Sequence, residues 1–235
     1  MLEVHRKAQR RSLRTENSVS YSYLRTLETG ESPAFGSLAR VVDTWIRTGD
    51  LERRFDRWFQ HLFLPLHGSV ILHPADGNPR KLQPGEAAAV LQAPEAVLRL
   101  ETDEEPCRLL EIGFELNDEA TQEEAFPLPE LLFQVRDFRK PERWPAWSCI
   151  LSDRGEGESL QALSDATVSR LFVSGGEHVR YETLSTHRLL LIVLRGALQA
   201  GSLRLLEGDS LRCLGEAELE IAVHRSADLV LIELG

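Results

Sequence analysis

The chain has 235 residues and a formal net charge of −10 at pH 7, with 42% hydrophobic and 27% charged residues. This composition suits a globular protein with room for two ordinary domains, and its acidity argues against nucleic acid as a partner, which needs a basic face. No apolar run reaches the roughly eighteen residues of a membrane helix, and the basic start from His5 to Arg14 lacks the apolar region of a secretory signal.

Short apolar runs dominate the first half: Leu62–Leu66, Ser69–Leu72, Ala87–Leu91, Val97–Leu100 and Cys107–Phe114. Gly, Pro or polar clusters bound most of them, the pattern of an all-β sandwich or barrel. Phe55–Leu64 has some helical character, but its aromatic content and the glycine at Gly68 favour a strand. Residues 116–147 read as a linker, with Pro127, Pro129, Pro141 and Pro145 among charged clusters. Asp118–Leu132 is the one other helix candidate, and its prolines cut it short. Strand runs resume at Arg170–Val173, Leu189–Leu194, Ser210–Leu214, Glu218–Val223 and Leu229–Leu234. Division at 1–115, 116–147 and 148–235 follows.

The two halves share three ordered landmarks. Leu66-His67-Gly68, Leu82-Gln83-Pro84-Gly85-Glu86 and Leu109-Leu110-Glu111-Ile112 match Leu194-Arg195-Gly196, Leu205-Leu206-Glu207-Gly208-Asp209 and Leu231-Ile232-Glu233-Leu234. Gly85 precedes Glu111 by 26 residues, and Gly208 precedes Glu233 by 25. Near-equal spacing of three landmarks points to duplication. The glycines suit tight turns between buried strands.

These residues resemble the pirin-like bicupins, which include bacterial quercetin 2,3-dioxygenases. The opening Met1-Leu2-Glu3-Val4-His5-Arg6-Lys7-Ala8-Gln9-Arg10-Arg11 is similar to the family's N-terminal strand, and Phe35-Gly36-Ser37-Leu38-Ala39-Arg40-Val41-Val42-Asp43 to a family segment. The Leu-x-x-Gly-Glu/Asp turns are general cupin features. The resemblance implies two tandem cupin (double-stranded β-helix, jelly-roll) barrels spanning the chain. It also implies a divalent metal, usually iron, in the first barrel, held by a His-x-His pair and a His-x-Glu pair. Alternate strand residues share a face, so such pairs aim inward together.

Here the ligand pattern is broken. Placed by its downstream landmark, the first pair falls on Arg54 and Asp56; the second, counted back from Glu111, falls on Arg99 and Glu101. No histidine lies between His73 and His178, so the third histidine ligand has no counterpart. If the four side chains point inward, two cations and two anions neutralise one another without a metal. If they point outward, they are solvated strand residues. Gln60 and His61 are candidate pocket residues, and His61 is a candidate ligand.

Phe55, Trp58, Phe59 and Phe63 line either a flavonoid-like pocket or, more simply, the core. Trp144 and Trp147 are expected to clamp the linker to a barrel. Cys107, Cys149 and Cys213 are odd in number and have no zinc spacing, so ordinary thiols in a reduced, cytoplasmic setting are expected. The leading functional expectation is a non-catalytic bicupin with no cofactor, binding a small aromatic ligand or a protein partner. Its rival is a quercetinase-type dioxygenase using iron, manganese or nickel on Asp56, Glu101 and His61. A role as a transcriptional cofactor follows only from family association.

Overall fold

The computed structural model describes residues 1–23, 35–55, 57–74, 78–102, 106–116, 133–138, 147–154 and 159–235. In the first half the strands are β1 (Leu2–His5), β2 (Arg11–Arg14), β3 (Ser18–Ser22), β4 (Leu38–Ile46), β5 (Gly49–Arg54) and β6 (Phe59–His67). β7 (Val70–His73), β8 (Arg80–Leu82), β9 (Glu86–Gln92), β10 (Val97–Thr102), β11 (Cys107–Glu115) and β12 (Phe133–Asp137) complete it. The second half contains β13 (Ser148–Ser152), β14 (Leu160–Gln161), β15 (Ala166–Val173), β16 (His178–Glu182) and β17 (Arg188–Ala200). β18 (Leu203–Leu206), β19 (Ser210–Leu214) and β20 (Glu218–Leu234) follow. Among the described residues the only helical element is the three-residue turn Lys7–Gln9. Phe59–His67 is strand, as its aromatic content indicated, whereas the helix candidate at Asp118–Leu132 lies outside the described residues.

The first barrel is a sheet in the order β12-β9-β6-β11-β4-β3-β2 facing a smaller one in the order β5-β10-β7-β8. Between them pack Ile46, Phe63, Val70, Leu72, Leu98 and Leu100. The second barrel orders its strands β1-β19-β17-β20-β15-β13-β14, with β16 on β20 and β18 on β17. Its interior holds Leu171, Leu189, Leu191, Leu211, Ile221 and Leu229. Glu218–Val223 and Leu229–Leu234, separate runs in the sequence, belong to one 17-residue strand.

A third core cements the barrels together. Leu62 and Leu64 of β6 and Leu110 and Ile112 of β11 meet Leu190 and Ile192 of β17 and Ile232 of β20. Strands buried on both faces lose the polar alternation of a half-exposed sheet, which explains their continuous apolar runs. Parity then sorts the residues. In β6, Leu62 and Leu64 face the other barrel while Phe63 faces its own interior; in β17, Leu190 and Ile192 face across while Leu189 and Leu191 face inward.

The chain crosses the 115/148 divide at two places. β1 pairs with β19, so Leu2–His5 completes the second barrel, and β12, within the linker span, pairs with β9 of the first. Trp147 packs against the second barrel's core and meets Tyr181 edge-on at 5.4 Å. Its expected clamping role is thus visible, while Trp144 lies outside the described residues.

Candidate functional site

Strand parity decides where the sequence-derived site residues fall. In β10, Leu98, Leu100 and Thr102 are buried, and the alternating Arg99 and Glu101 take the opposite, outer face. There Arg99 Nη2 lies 3.2 Å from Glu101 Oε2, and His73 Nε2 lies 2.8 Å from the same oxygen, all partly solvated. In β5, Arg54 is exposed and pairs loosely with Glu52 at 3.4 Å. Asp56 lies outside the described residues. The quartet of Arg54, Asp56, Arg99 and Glu101 is therefore not assembled in the interior; for Arg54, Arg99 and Glu101 the outward alternative holds. The physical reason is the two-residue period of a strand: with Leu98 and Leu100 turned inward, Arg99 and Glu101 between and beside them face out.

One residue earlier, Arg53 points inward. Its Nε lies 3.0 Å from Glu111 Oε2, while Arg40 Nε lies 2.9 Å from Oε1. Glu111 sits on β11 with its side chain 1% exposed, and His61 on β6 is fully enclosed, its Nδ1 3.3 Å from Oε1. The Arg40 N–H does not point along a hydrogen-bond direction, so this contact is Coulombic; Arg53 supplies a directed bond. Room for the group comes from Gly113, which lies opposite both Arg40 and His61 in the ladders. A Cβ there would sit 3.2 Å from Arg40 Cβ and 3.6 Å from His61 Nδ1.

Phe55, Phe59 and Phe63 surround His61, with ring centroids 4.8, 5.6 and 5.7 Å away. Burial in this aromatic box pushes the His61 pKa down, against the pull of Glu111. For Glu111, burial alone would raise the pKa, but Arg40 and Arg53 outweigh it and hold the carboxyl well below its ordinary range. The stable state is a carboxylate clamped by two guanidiniums beside a neutral imidazole. Neither His61 ring nitrogen makes a directed hydrogen bond among the described residues.

The second barrel repeats the theme at its own glutamate. Tyr181 OH donates to Glu233 Oε2 at 2.6 Å, Thr183 Oγ1 donates to Oε1, and His187 Nδ1 lies 2.7 Å from Oε1. Burial raises the Glu233 pKa, and these three partners more than reverse it. Tyr181 is shifted upward by burial and by its bond to the carboxylate. Both glutamates entered the sequence reading only as repeat landmarks; a lone acid inside an apolar strand is the signal that could have marked them. Gln60, a candidate pocket residue, instead joins the barrels: its Nε2 donates to Gln161 O and its Oε1 accepts from Leu163 N–H, both at 2.8 Å. Phe59 and Phe63 are buried, as core packing required. Burial lifts the Cys107 and Cys213 thiols to about 12, so neither is a nucleophile.

Known structures share this architecture. YhhW from Escherichia coli superposes with a TM-score of 0.83 at 17% identity, covering 100% of this chain and 98% of that one. The nickel(II) complex of bacterial pirin YhhW from the same organism gives 0.81 at 17% identity, with 100% and 99% covered. Quercetin 2,3-dioxygenase from Acinetobacter baumannii gives 0.70 at 10% identity, with 92% and 80% covered. Residues 149–234 match the family described as the quercetinase C-terminal cupin domain. This is a bicupin of pirin-like fold. No curated protein matches its sequence.

Whether this bicupin's residues fit a divalent ion is a question of donors. Among the described residues no three His, Cys, Asp or Glu side chains converge as ligands. The histidine and carboxylate inside the first barrel are accompanied by two guanidiniums, which already occupy both carboxylate oxygens. A cation would have to displace or repel them, so the described donor set does not fit a metal. No helix among the described residues is long and apolar enough to cross a membrane.

Proposed function

We propose that this bicupin is a non-catalytic binding protein whose first barrel replaces a metal centre with an internal ion-pair cluster. The observation that carries the reading is Glu111 held by both Arg40 and Arg53, with His61 enclosed beside it. The arginines supply the positive charge that a cation would otherwise bring, and unlike a metal they offer no open coordination position. Its partner on this reading is a small aromatic molecule or another protein, and the free thiols suit a reduced cytoplasm.

The dioxygenase alternative asks Asp56, Glu101 and His61 to share one ion. Glu101 lies on the outer face of β10, while His61 is enclosed within the barrel. Metal analysis of protein purified without chelator, joined to aerobic quercetin turnover with added iron, manganese or nickel, tests the proposal. The expected result is substoichiometric metal and no turnover above the metal blank. One equivalent of bound metal with quercetin consumption would establish the dioxygenase instead.

A further inference from the structure

At one end of the inter-barrel core lies a cavity of about 670 Å³, lined by none of Arg40, Arg53, His61 and Glu111. Its volume falls in the range of roughly 300–1,000 Å³ usual for small-molecule sites. Leu64, Leu66, Ile150 and Leu194 supply apolar surface from both barrels. Trp45 of β4 and Phe172 of β15, both partly exposed, add aromatic surface.

Each aromatic ring carries a guanidinium. Arg108 lies 5.7 Å from the Trp45 ring centroid and Arg170 lies 4.4 Å from that of Phe172. A carboxylate fork fixes each arginine. Asp43 accepts from Arg108 Nε and Nη2 at 3.1 and 2.9 Å; Asp228 accepts from Arg170 Nε and Nη2 at 3.0 and 2.8 Å. The forks use the same two nitrogens, leaving Nη1 of each arginine without a hydrogen bond among the described residues. Arg195 of β17 also lines the cavity and makes no ion pair among those residues. Arginines already positioned by forks lose little further freedom when they meet a ligand.

We propose that this cavity binds a flat aromatic carboxylate. The ring takes the apolar and aromatic surface; the carboxylate takes the remaining donors of Arg108, Arg170 and Arg195. Charge-assisted hydrogen bonds favour an anion over a neutral ring of the same shape. The proposal rests on the reading of the chain as a small-molecule-binding protein, but not on the absence of a metal from the first barrel.

The test is calorimetric titration of the full chain with 2-naphthoate and with neutral 2-naphthamide. Naphthoate is expected to bind about tenfold or more tightly than the amide. Phe172→Ala and Arg195→Gln are each expected to weaken naphthoate binding by about tenfold while leaving the melting temperature near that of wild type. His73→Ala, on the outer face of the first barrel, is expected to leave binding unchanged. No binding at millimolar probe, equal binding of the two probes, or indifference to both cavity substitutions would overturn the proposal. Metal content and quercetin turnover, measured on the same preparation, report separately on the metal-free reading, because the two sites share no residue.

Discussion

His61 Nδ1 and Glu111 Oε1 lie 3.3 Å apart inside the first barrel, yet the imidazole is held neutral and the carboxyl ionised. Burial in the aromatic box accounts for the neutral ring, and two arginines beside the carboxylate for its ionisation. The charges of Arg40 and Arg53 outweigh the burial of Glu111, and on His61 they add to burial in opposing a proton on the ring. The pair thus holds one fixed protonation state, a neutral ring beside an ionised carboxylate.

This arrangement predicts acid sensitivity. The folded-state pKa of His61 lies below its unfolded value, so the unfolded chain binds the proton more readily. Its stabilising contribution is present above about pH 6.5, the unfolded value, and is lost as pH falls toward the lower folded pKa. Glu111 acts with the same sign at lower pH, its contribution fading below the ordinary glutamate range. Urea midpoints measured from pH 7.5 to 5 should therefore fall. In His61→Phe the decline across pH 6.5 to 5 should be shallower than in wild type; parallel profiles would rule out His61 as its source.

Glu111→Gln should destabilise the chain by about 3–5 kcal/mol, the usual cost of removing one member of a buried ion pair. Arg40 and Arg53 would keep their charges in a site built around a carboxylate. The combined replacement Arg40→Leu, Arg53→Met and Glu111→Leu should recover most of that loss, since it removes the charges together. Chemical denaturation of the two variants checks both. A triple variant no more stable than Glu111→Gln would mean that the cluster's shape matters more than its charge.

The two Leu-x-Gly turns offer a matched pair. Gly68 and Gly196 adopt φ of 66° and 97°, and a Cβ at either would lie 2.5 Å from a backbone carbonyl, of Pro106 and Ser226 respectively. Backbone strain alone costs about 1–3 kcal/mol, and the close approach adds to it. Gly68→Ala and Gly196→Ala should each lower thermal stability clearly. Were one of them neutral in a melting experiment, the duplication of turn geometry would not extend to its energetics.

Those turns also mark what the sequence made legible. Glycine landmarks and short apolar runs disclosed both barrels because turn chemistry and burial act locally. The site was harder. Register within β5 and β10 depends on which face packs against Val70 and Leu72, so the sequence alone did not show that Arg53 faces inward and Arg54 outward. Glu111 stood in plain view as a landmark, but its partners come from β4, β5 and β6, brought together only by the fold. The third core was hidden for a related reason: strands buried on both faces show no alternation that would reveal a second packing partner.

Gln60 provides the sharpest test of how the barrels are joined. It is fully buried, and its amide both donates to Gln161 O and accepts from Leu163 N–H. Gln60→Leu keeps a similar volume but strands the Leu163 N–H, at an expected cost of about 1–3 kcal/mol. Gln60→Glu goes further. A carboxylate can accept from Leu163 but faces the Gln161 carbonyl, where a donor is required. Burial and that carbonyl should raise the new group's folded pKa, so the folded state takes up a proton first and stability relative to wild type improves as pH falls through that value. This is opposite in sign to His61. Denaturation of Gln60→Glu at pH 8 and pH 5 should show a smaller deficit at pH 5. A deficit independent of pH would mean that the carboxylate escapes to solvent and that the bridge between the barrels is loose.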